Sequence, residues 1–286
     1  MTIGSNFSGN LRVNSTLVGS SAEGLSKQDA SILEFVGNNF VFINDNQIKN
    51  EQIKKWNDLA RKGSVQALYN LGCCYDEGIS VEKDLTMAVK FWTAAAEQNF
   101  SSAQINLGFC YFEGTGVEKD FEMAVKFWTA AAEQSCPVAQ YNLGFCYFKG
   151  MGVEKDSQMA IKLWTAAAEQ NFPIAQYNLG CFYFEGMDVE KDFKMAIKLW
   201  TAAAEQNFPI AQYSLGRCYL KGNGVKQDFE KAMSFLKSAA DFGNKKAKKY
   251  FEASLLCSIK NEYQKRVLKE ASMERPSKKA RFKVPN

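Results

Sequence analysis

Apolar residues recur along the central part of the chain three and four positions apart, which is the spacing of one face of an α-helix. In the segment AQINLGFCYFE, the residues Ala103, Leu107, Cys110 and Tyr111 fall within one stripe. A helix with one apolar stripe buries that stripe against a neighbouring element. The pattern therefore predicts a helix of about residues 102–113, which we name helix A.

A second periodic segment follows after a short loop. Its stripe consists of Ala124, Phe127, Trp128 and Ala131, which combine large and small side chains as interlocking helices need. Asp120 precedes this segment, and an aspartate there can accept hydrogen bonds from the free amides at a helix N-terminus. We therefore predict a helix B that begins after Asp120 and ends at about residue 134.

This pair of helices repeats along the chain with a period of 36 residues. A Leu-Gly pair within helix A marks the period, and its glycines are Gly72, Gly108, Gly144, Gly180 and Gly216. The tryptophan of helix B keeps the same step at Trp92, Trp128, Trp164 and Trp200. Glycine inside a helix costs about 1 kcal/mol relative to alanine, so glycines at one register indicate close approach of a neighbouring helix. A fixed period of this length predicts an all-α fold of stacked repeats.

The complete repeat resembles the Sel1-like repeat, a relative of the tetratricopeptide repeat. The matching pattern, A-x3-LG-x2-Y-x2-G-x-GV-x2-D-x3-A-x3-W-x2-AA, runs from Ala103 to Ala132. The other copies depart from it little: Ser80 and Asp188 replace the second loop glycine, and Leu236 replaces the last tryptophan. The resemblance implies a right-handed α-solenoid of antiparallel helix pairs that serves as a scaffold or adaptor for other proteins.

The repeats divide the chain into three parts. We expect a largely disordered leader over residues 1–49, a solenoid over residues 50–257 and a disordered basic tail over residues 258–286. Within the solenoid, we expect a capping half-repeat at 50–63, five repeats at 65–100, 101–136, 137–172, 173–208 and 209–244, and a capping helix at 244–257. Terminal caps are expected wherever the stacking of repeats stops.

The leader shows weaker patterns than the repeats. A short helix is predicted around Ile32, Leu33 and Val36, and the apolar run at residues 40–43 has no defined prediction. The first residues have neither a basic start nor an apolar core of the kind found in secretory signals. We therefore expect a cytoplasmic or nuclear location, or both, and no secretion.

Charge is concentrated at the C-terminus. Residues 244–286 carry 13 Lys or Arg and 4 Glu, a net charge of +9, whereas the rest of the chain carries 22 basic and 27 acidic residues, a net charge of −5. Two basic clusters, formed by Lys265, Arg266, Lys278, Lys279 and Arg281, resemble a bipartite nuclear-import signal. This predicts an import receptor as a partner, and the alternatives are a solvated tail or a tail that binds nucleic acid.

For the repeats, the resemblance places a concave groove on the face of helix A opposite its buried stripe. The candidate partner-binding residues on this face are mostly aromatic or apolar: Tyr69, Ile105, Phe109, Phe112, Tyr141, Phe145, Phe148, Tyr177, Phe184 and Tyr213, with Arg217 in the last repeat. The candidate charged residues along its edge are Glu113, Lys149, Glu185 and Lys221. An aromatic floor suits an apolar helix or an extended peptide of a partner protein. The alternative is that neighbouring A helices bury these rings.

The residue types argue against catalysis. The chain has no histidine, which is the commonest general base, and its carboxylates recur in every repeat as caps and surface residues would. We therefore predict no enzymatic activity, no cofactor and no metal site. No apolar run approaches the roughly 18 to 20 residues of a membrane span, so no membrane partner is expected.

Four cysteines share one repeat position on the buried stripe of helix A: Cys74, Cys110, Cys146 and Cys218. Equivalent positions in neighbouring repeats are about 9 to 10 Å apart, whereas the Cα atoms of a disulfide usually lie within about 7 Å. The spacing therefore predicts reduced thiols in the core.

Overall fold

A computed structural model describes the backbone of residues 32–36, 39–43, 46–256 and 263–264, and the side chains of these residues from position 51 onward. The chain divides into two compact units, Met1–Ala175 and Gln176–Asn286. The basic clusters of the tail and most of the leader lie outside the described residues. No helix in the described part of the chain is both long enough and apolar enough to cross a lipid bilayer.

The first described element is a β-hairpin, where the sequence led us to expect a short helix. Strand β1 (Ile32–Val36) pairs antiparallel with β2 (Asn39–Ile43), and Ile32 lies opposite Ile43. The prediction of a helix around Ile32, Leu33 and Val36 was therefore wrong. The sequence ILEFV-GN-NFVFI contains β-branched and aromatic residues on both sides of a Gly-Asn pair, which is a hairpin signal.

The helices of unit 1 follow in an alternating order. They are α1 (Asn46–Arg61), α2 (Val65–Glu77), α3 (Leu85–Ala96), α4 (Ser101–Glu113), α5 (Phe121–Glu133), α6 (Pro137–Lys149) and α7 (Ser157–Glu169). Helices α2, α4 and α6 are A helices, α3, α5 and α7 are B helices, and α1 is a B helix without an A helix before it. Each A helix packs against the B helix that follows it, and α3 and α5 also pack against the next A helix.

Unit 2 has the same organisation. Helix α8 (Pro173–Glu185) begins in unit 1, and it is followed by α9 (Phe193–Glu205), α10 (Pro209–Lys221), α11 (Phe229–Asp241) and a further helix, α12, described over residues 245–256. Helix α10 packs against both α9 and α11. The predicted all-α repeat fold is thus confirmed, and the predicted bounds of helices A and B agree with α4 and α5 to within one residue.

An aspartate defines the start of each B helix from α3 to α11, as the sequence predicted from Asp120. The side chain of Asp120 accepts a hydrogen bond from the Met123 amide at 2.9 Å. The same cap is made by the other aspartates of this register: Asp84, Asp156, Asp192 and Asp228. After each helix the chain enters the left-handed region, at Asn99, Ser135, Asn171, Asn207 and Gly243. These caps let a short linker reverse the chain in every repeat.

The helix A glycine is required by the tryptophan of helix B. A Cβ atom placed at Gly144 would lie 2.7 Å from Nε1 of Trp164 and 3.2 Å from the Ala160 carbonyl oxygen, so only hydrogen fits there. The indole N–H of Trp164 then donates a 3.0 Å hydrogen bond to the Tyr141 carbonyl, three residues before the glycine. Trp128 and Trp200 make the corresponding bonds. The expected close approach of the two helices is confirmed, and a buried ring lies at its centre.

We expect Gly144→Ala to destabilise the protein by about 1 to 3 kcal/mol, because the new methyl group overlaps the Trp164 ring. Alanine would instead stabilise a helix position with free space by about 1 kcal/mol. Urea unfolding followed by circular dichroism measures the change.

A matched pair of variants checks the cause. In the fifth repeat Leu236 takes the place of the tryptophan, and a Cβ atom at Gly216 would still lie 2.8 Å from its Cγ, so leucine would not relieve the overlap. A smaller side chain is needed, and Gly144→Ala should cost less in a Trp164→Ala background than in the wild type. Equal costs in the two backgrounds would mean that the indole is not what excludes a side chain.

Candidate interaction surface

The candidate surface is the side of the A helices that faces away from the Leu-Gly stripe, and we name it the A face. In unit 1 the structure buries five of the predicted residues there: Ile105, Phe109, Phe112, Tyr141 and, for the most part, Tyr69, whose burial raises its pKa. In unit 2 it buries Tyr177 and Tyr213. A buried ring cannot contact a partner unless the repeat rearranges, so these residues support the surface instead of forming it.

The phenylalanine near the C-terminal end of helix A illustrates how such a ring is covered. The centroid of Phe112 lies 5.1 Å from that of Phe121 and 5.4 Å from that of Trp128, both on the helix B of the same repeat. Phe148 lies 5.7 Å from Trp164, and Phe184 lies 5.1 Å from Trp200. The sequence analysis assigned these three phenylalanines to the groove floor. They instead pack against the B helix of their own repeat, and Phe148 and Phe184 stay half-buried. The alternative that neighbouring A helices bury these rings did not foresee this contact.

The residues left accessible on the A face are fewer than the sequence suggested. In unit 1, Phe145 and Phe148 are half-buried, and Glu113 and Lys149 are exposed. The Nζ atom of Lys149 lies 5.1 Å from the centre of the Phe148 ring. In unit 2, Phe184 and Arg217 are half-buried, and Glu185 and Lys221 are exposed. Each unit therefore presents partly covered apolar or aromatic groups beside charged ones.

A hydrogen bond joins two neighbouring A helices beneath the A face of unit 1, and it has no counterpart at the next repeat boundary. The amide of Asn106 hydrogen-bonds to the hydroxyl of Tyr69, which lies 37 residues earlier on the preceding A helix. The equivalent pair one repeat later is Asn142 with Ile105, which has no hydroxyl. Asn142 is only 2% exposed, and its Nδ2 atom has no hydrogen-bond partner.

The same repeat boundary carries a second small residue. Tyr69, Tyr141 and Tyr177 each place their ring against a phenylalanine that precedes the next A helix, with centroids 5.2 to 5.9 Å apart: Phe100, Phe172 and Phe208, respectively. At this boundary the corresponding residues are Ile105 and Cys136. The smaller pair therefore replaces a Tyr-Phe contact. It also leaves the Asn142 amide without a hydroxyl acceptor of the kind that Tyr69 provides to Asn106.

In unit 2 the A face ends in a cluster that involves α12. The guanidinium carbon of Arg217 lies 5.6 Å from the centre of the Tyr213 ring and 5.9 Å from that of Tyr250. The two rings meet edge to face at 5.6 Å. Sequence reasoning missed Tyr250. Its position, one repeat after Ser214 on the next A helix, was the available signal.

The thiols of the A helices are poor nucleophiles. Burial raises the pKa of Cys73 and Cys218 to about 11 and that of Cys74, Cys146 and Cys181 to about 12. Within the described residues, seven cysteines are free thiols, including the four of the predicted buried register. A thiol with so high a pKa stays protonated at neutral pH, and only the thiolate attacks or binds metal.

Other proteins share this architecture. The sequence model of the Sel1 repeat matches residues 65–100, 101–136, 137–172, 173–208 and 209–244. The chain is similar to the crystal structure of a protective antigen with an SLR fold, present in uropathogenic Escherichia coli strains. The match has 32% sequence identity and a TM-score of 0.66, and it covers 71% of this chain but only 43% of the antigen.

The chain is also similar to a Sel1 repeat protein from Oxalobacter formigenes, with 32% identity and a TM-score of 0.64. That match covers 73% of this chain and 87% of the Oxalobacter protein. No curated protein shows significant sequence similarity to the chain.

We expect the double variant Ile105→Tyr/Cys136→Phe to raise the free energy of unfolding by about 1 to 2 kcal/mol. The new hydroxyl gives the buried Asn142 amide an acceptor, and an unpaired buried donor costs about 1 to 3 kcal/mol. The phenylalanine rebuilds the contact seen at the neighbouring boundaries.

Ile105→Phe/Cys136→Phe is the matched control, because it adds the rings without the hydroxyl. Thermal and urea unfolding should rank the tyrosine variant above it. Equal stabilities would show that the amide of Asn142 does not need this partner.

We also expect alkaline pH to weaken the contribution of Cys146. Its thiol ionises at about 9 in the unfolded chain and at about 12 when buried. The neutral folded thiol therefore contributes stability fully below pH 9, and this contribution is lost as the pH rises from 9 towards 12. Relative to Cys146→Ala, the wild type should lose about 1 kcal/mol of its advantage at pH 10, one unit above the unfolded pKa.

Urea unfolding in reductant at pH 7 and pH 10 measures this difference. Leu143→Ala removes a neighbouring buried side chain that does not titrate, so its cost should be the same at both pH values. A cost of Cys146→Ala that is also independent of pH would contradict the assigned environment of the thiol.

Proposed function

The chain belongs to the Sel1 repeat family, and we propose that it acts as a non-enzymatic scaffold or adaptor that binds a peptide or helix of a partner protein on its A face. Sel1 repeat proteins are generally protein-interaction scaffolds. The partner is another protein, and the accessible residues of the A face form the contact.

The division between constant and variable positions supports this proposal. The Leu-Gly pair and the capping aspartate are identical in all five repeats, because the core requires them. On the A face, by contrast, the position of Phe145 is occupied by cysteine, phenylalanine or arginine: Cys73, Phe109, Phe145, Cys181 and Arg217. Burial limits Cys73, Phe109 and Cys181 to a supporting role, whereas Phe145 and Arg217 are partly accessible and differ from each other. Accessible positions that differ between repeats on a constant frame suit the recognition of one particular sequence.

The accessible groups have the chemistry of a binding surface. Phe145 and Phe148 expose part of their rings, and Lys149 and Glu113 flank them on the same face. Partly exposed rings that become fully covered on binding contribute most of the energy of protein interfaces. Charged groups at the rim add selectivity and steer association.

The chemistry of the side chains gives no support to catalysis. The chain has no histidine, and burial holds the thiols of Cys146 and Cys181 in their protonated form. Acid–base and nucleophilic mechanisms need a group that ionises near the working pH. A binding role requires neither.

A second candidate function is favoured by the charge of the C-terminal segment. The net charge of +9 over residues 244–286 suits binding to nucleic acid or to an import receptor. In this alternative the chain is a nuclear factor whose tail contacts phosphate and whose repeats recruit a partner protein. A cytoplasmic or nuclear location is part of the proposal.

The test is a comparison of partners bound by the full chain and by two charge variants. Glu113→Lys/Lys149→Glu changes the A face, and Lys126→Glu/Lys162→Glu changes exposed positions of helices α5 and α7. All four side chains are exposed, so both variants should keep the wild-type melting temperature. We expect affinity capture with mass spectrometry to show partners that the first variant loses and the second retains.

Binding through the A face would be contradicted if both variants lost the same partners, or if both variants kept all of them. Deletion of residues 260–286 separates the second candidate. Salt-sensitive binding to RNA or DNA that disappears with the deletion would favour a nucleic-acid role for the tail.

A further inference from the structure

The A face of unit 2 carries cations that the repeat pattern does not require. At the register where α4 and α6 have phenylalanine, α10 has Arg217, and Lys221 follows four residues later. Residues four apart on a helix are neighbours on one side, so the two cations point in the same direction. Lys221 is exposed and Arg217 is half-buried.

Contacts with aromatic rings hold Arg217 in place. Its guanidinium group lies against Tyr213 and Tyr250, with 5.6 and 5.9 Å between the guanidinium carbon and the two ring centres. The Tyr213 hydroxyl also hydrogen-bonds to Arg217 and Tyr250. Burial raises the pKa of Tyr213, so this phenol stays neutral and does not cancel the arginine charge. A planar cation that is already fixed loses little conformational entropy when it binds a carboxylate.

Helix α12 extends the positive charge. Lys249 occupies the register of Tyr213 on the next A helix and is exposed, as are Lys245, Lys246 and Lys248. Two acidic residues share this region, Glu185 on α8 and Glu252 on α12. We name the cluster of Arg217, Lys221 and Lys249 the basic patch.

We propose that the basic patch binds an acidic segment of a partner protein, with a carboxylate of that segment on Arg217 and a second one on Lys221. The proposal rests on the scaffold function given above and specifies the chemistry of the partner. Charge complementarity is the reason for this occupant, because arginine presents a fork of N–H donors that matches a carboxylate. The chain's own C-terminal segment is an unsuitable occupant, since it is itself strongly basic.

The aromatic groups favour a peptide over single-stranded nucleic acid. Sequence-independent binding of single strands relies on rings that stack with bases. Here Tyr213 is buried and offers no face to a base. Tyr250 is 40% exposed, but its ring already contacts both Tyr213 and Arg217 and orients the cation.

Fluorescence anisotropy with the full chain tests the proposal. The probes are short labelled peptides in which Asp or Glu alternates with Leu or Val, charge-reversed peptides with Lys or Arg, and a labelled oligouridylate. We expect the wild type to prefer the acidic peptides and to lose affinity as salt is added. Arg217→Gln and Lys221→Gln should each weaken binding about tenfold, as the loss of one charge-assisted hydrogen bond would.

Two comparisons separate binding from stability and from general charge. Lys237→Gln removes one exposed cation from α11 and should bind as the wild type does. Arg217→Gln can also loosen the contact with Tyr250, so Lys221→Gln, at an exposed position, provides the independent test. Both variants are compared with the wild type by thermal unfolding.

The proposal is overturned if the wild type binds acidic and charge-reversed peptides equally, if Lys237→Gln weakens binding as much as Lys221→Gln, or if only the oligouridylate binds. Partner capture that depends on Glu113 and Lys149 but not on the basic patch would reject this inference and leave the scaffold function standing. Partner capture that depends neither on Glu113 and Lys149 nor on the basic patch would reject both this inference and the scaffold function.

Discussion

The repeats depend on the contact between the tryptophan of helix B and the glycine of helix A. The indole occupies the volume that any side chain at the glycine would need. In the repeats of Trp128, Trp164 and Trp200, the indole N–H also donates a hydrogen bond to a carbonyl of helix A. One pair of residues therefore sets the distance between the two helices, their relative orientation and the hydrogen bond between them. The helix propensity lost at the glycine is about 1 kcal/mol, whereas deletion of a buried tryptophan side chain typically costs about 3 to 5 kcal/mol. Packing therefore outweighs propensity at this register.

This contact leaves the A face free to vary. The tryptophan–glycine contact fixes the spacing of the helices on one side of helix A. The positions on its opposite side therefore need only avoid clashes with the neighbouring repeats. The structure shows this freedom at Ile105 and Cys136, where a smaller pair replaces Tyr-Phe and an asparagine loses its partner. The same freedom is seen at Arg217, where a cation replaces an apolar residue and packs against the rings of Tyr213 and Tyr250. The differences between repeats thus lie at positions that the tryptophan–glycine contact does not fix.

The sequence was sufficient to predict the repeat period, the helix bounds and the capping aspartates, because each depends on local geometry within one repeat. It was not sufficient to predict which rings are accessible. Phe112 and Phe145 are both outward by helical periodicity alone, yet Phe112 packs on Trp128 and Phe121 of its own repeat. That distinction depends on the angle between two helices, which a pattern of residues does not give. The hairpin at Ile32–Ile43 was missed for another reason, since its short apolar runs also fit a helix and only the Gly-Asn pair decides between them.

The tryptophan–glycine contact does not extend to α1 and α12, which flank the five repeats in the described part of the chain. Trp56 on α1 occupies the tryptophan register, but the residue at the corresponding glycine position is Val36, which lies in strand β1 instead of an A helix. At the other side, the register of Gly216 continues on α12 as Glu252. A glutamate side chain occupies the space that a large ring would need, so the Trp164–Gly144 contact has no equivalent at this position. Helix α12 packs Ala247 against Leu236 and Ala239 of α11. Its lysines at positions 245, 246, 248 and 249 are exposed.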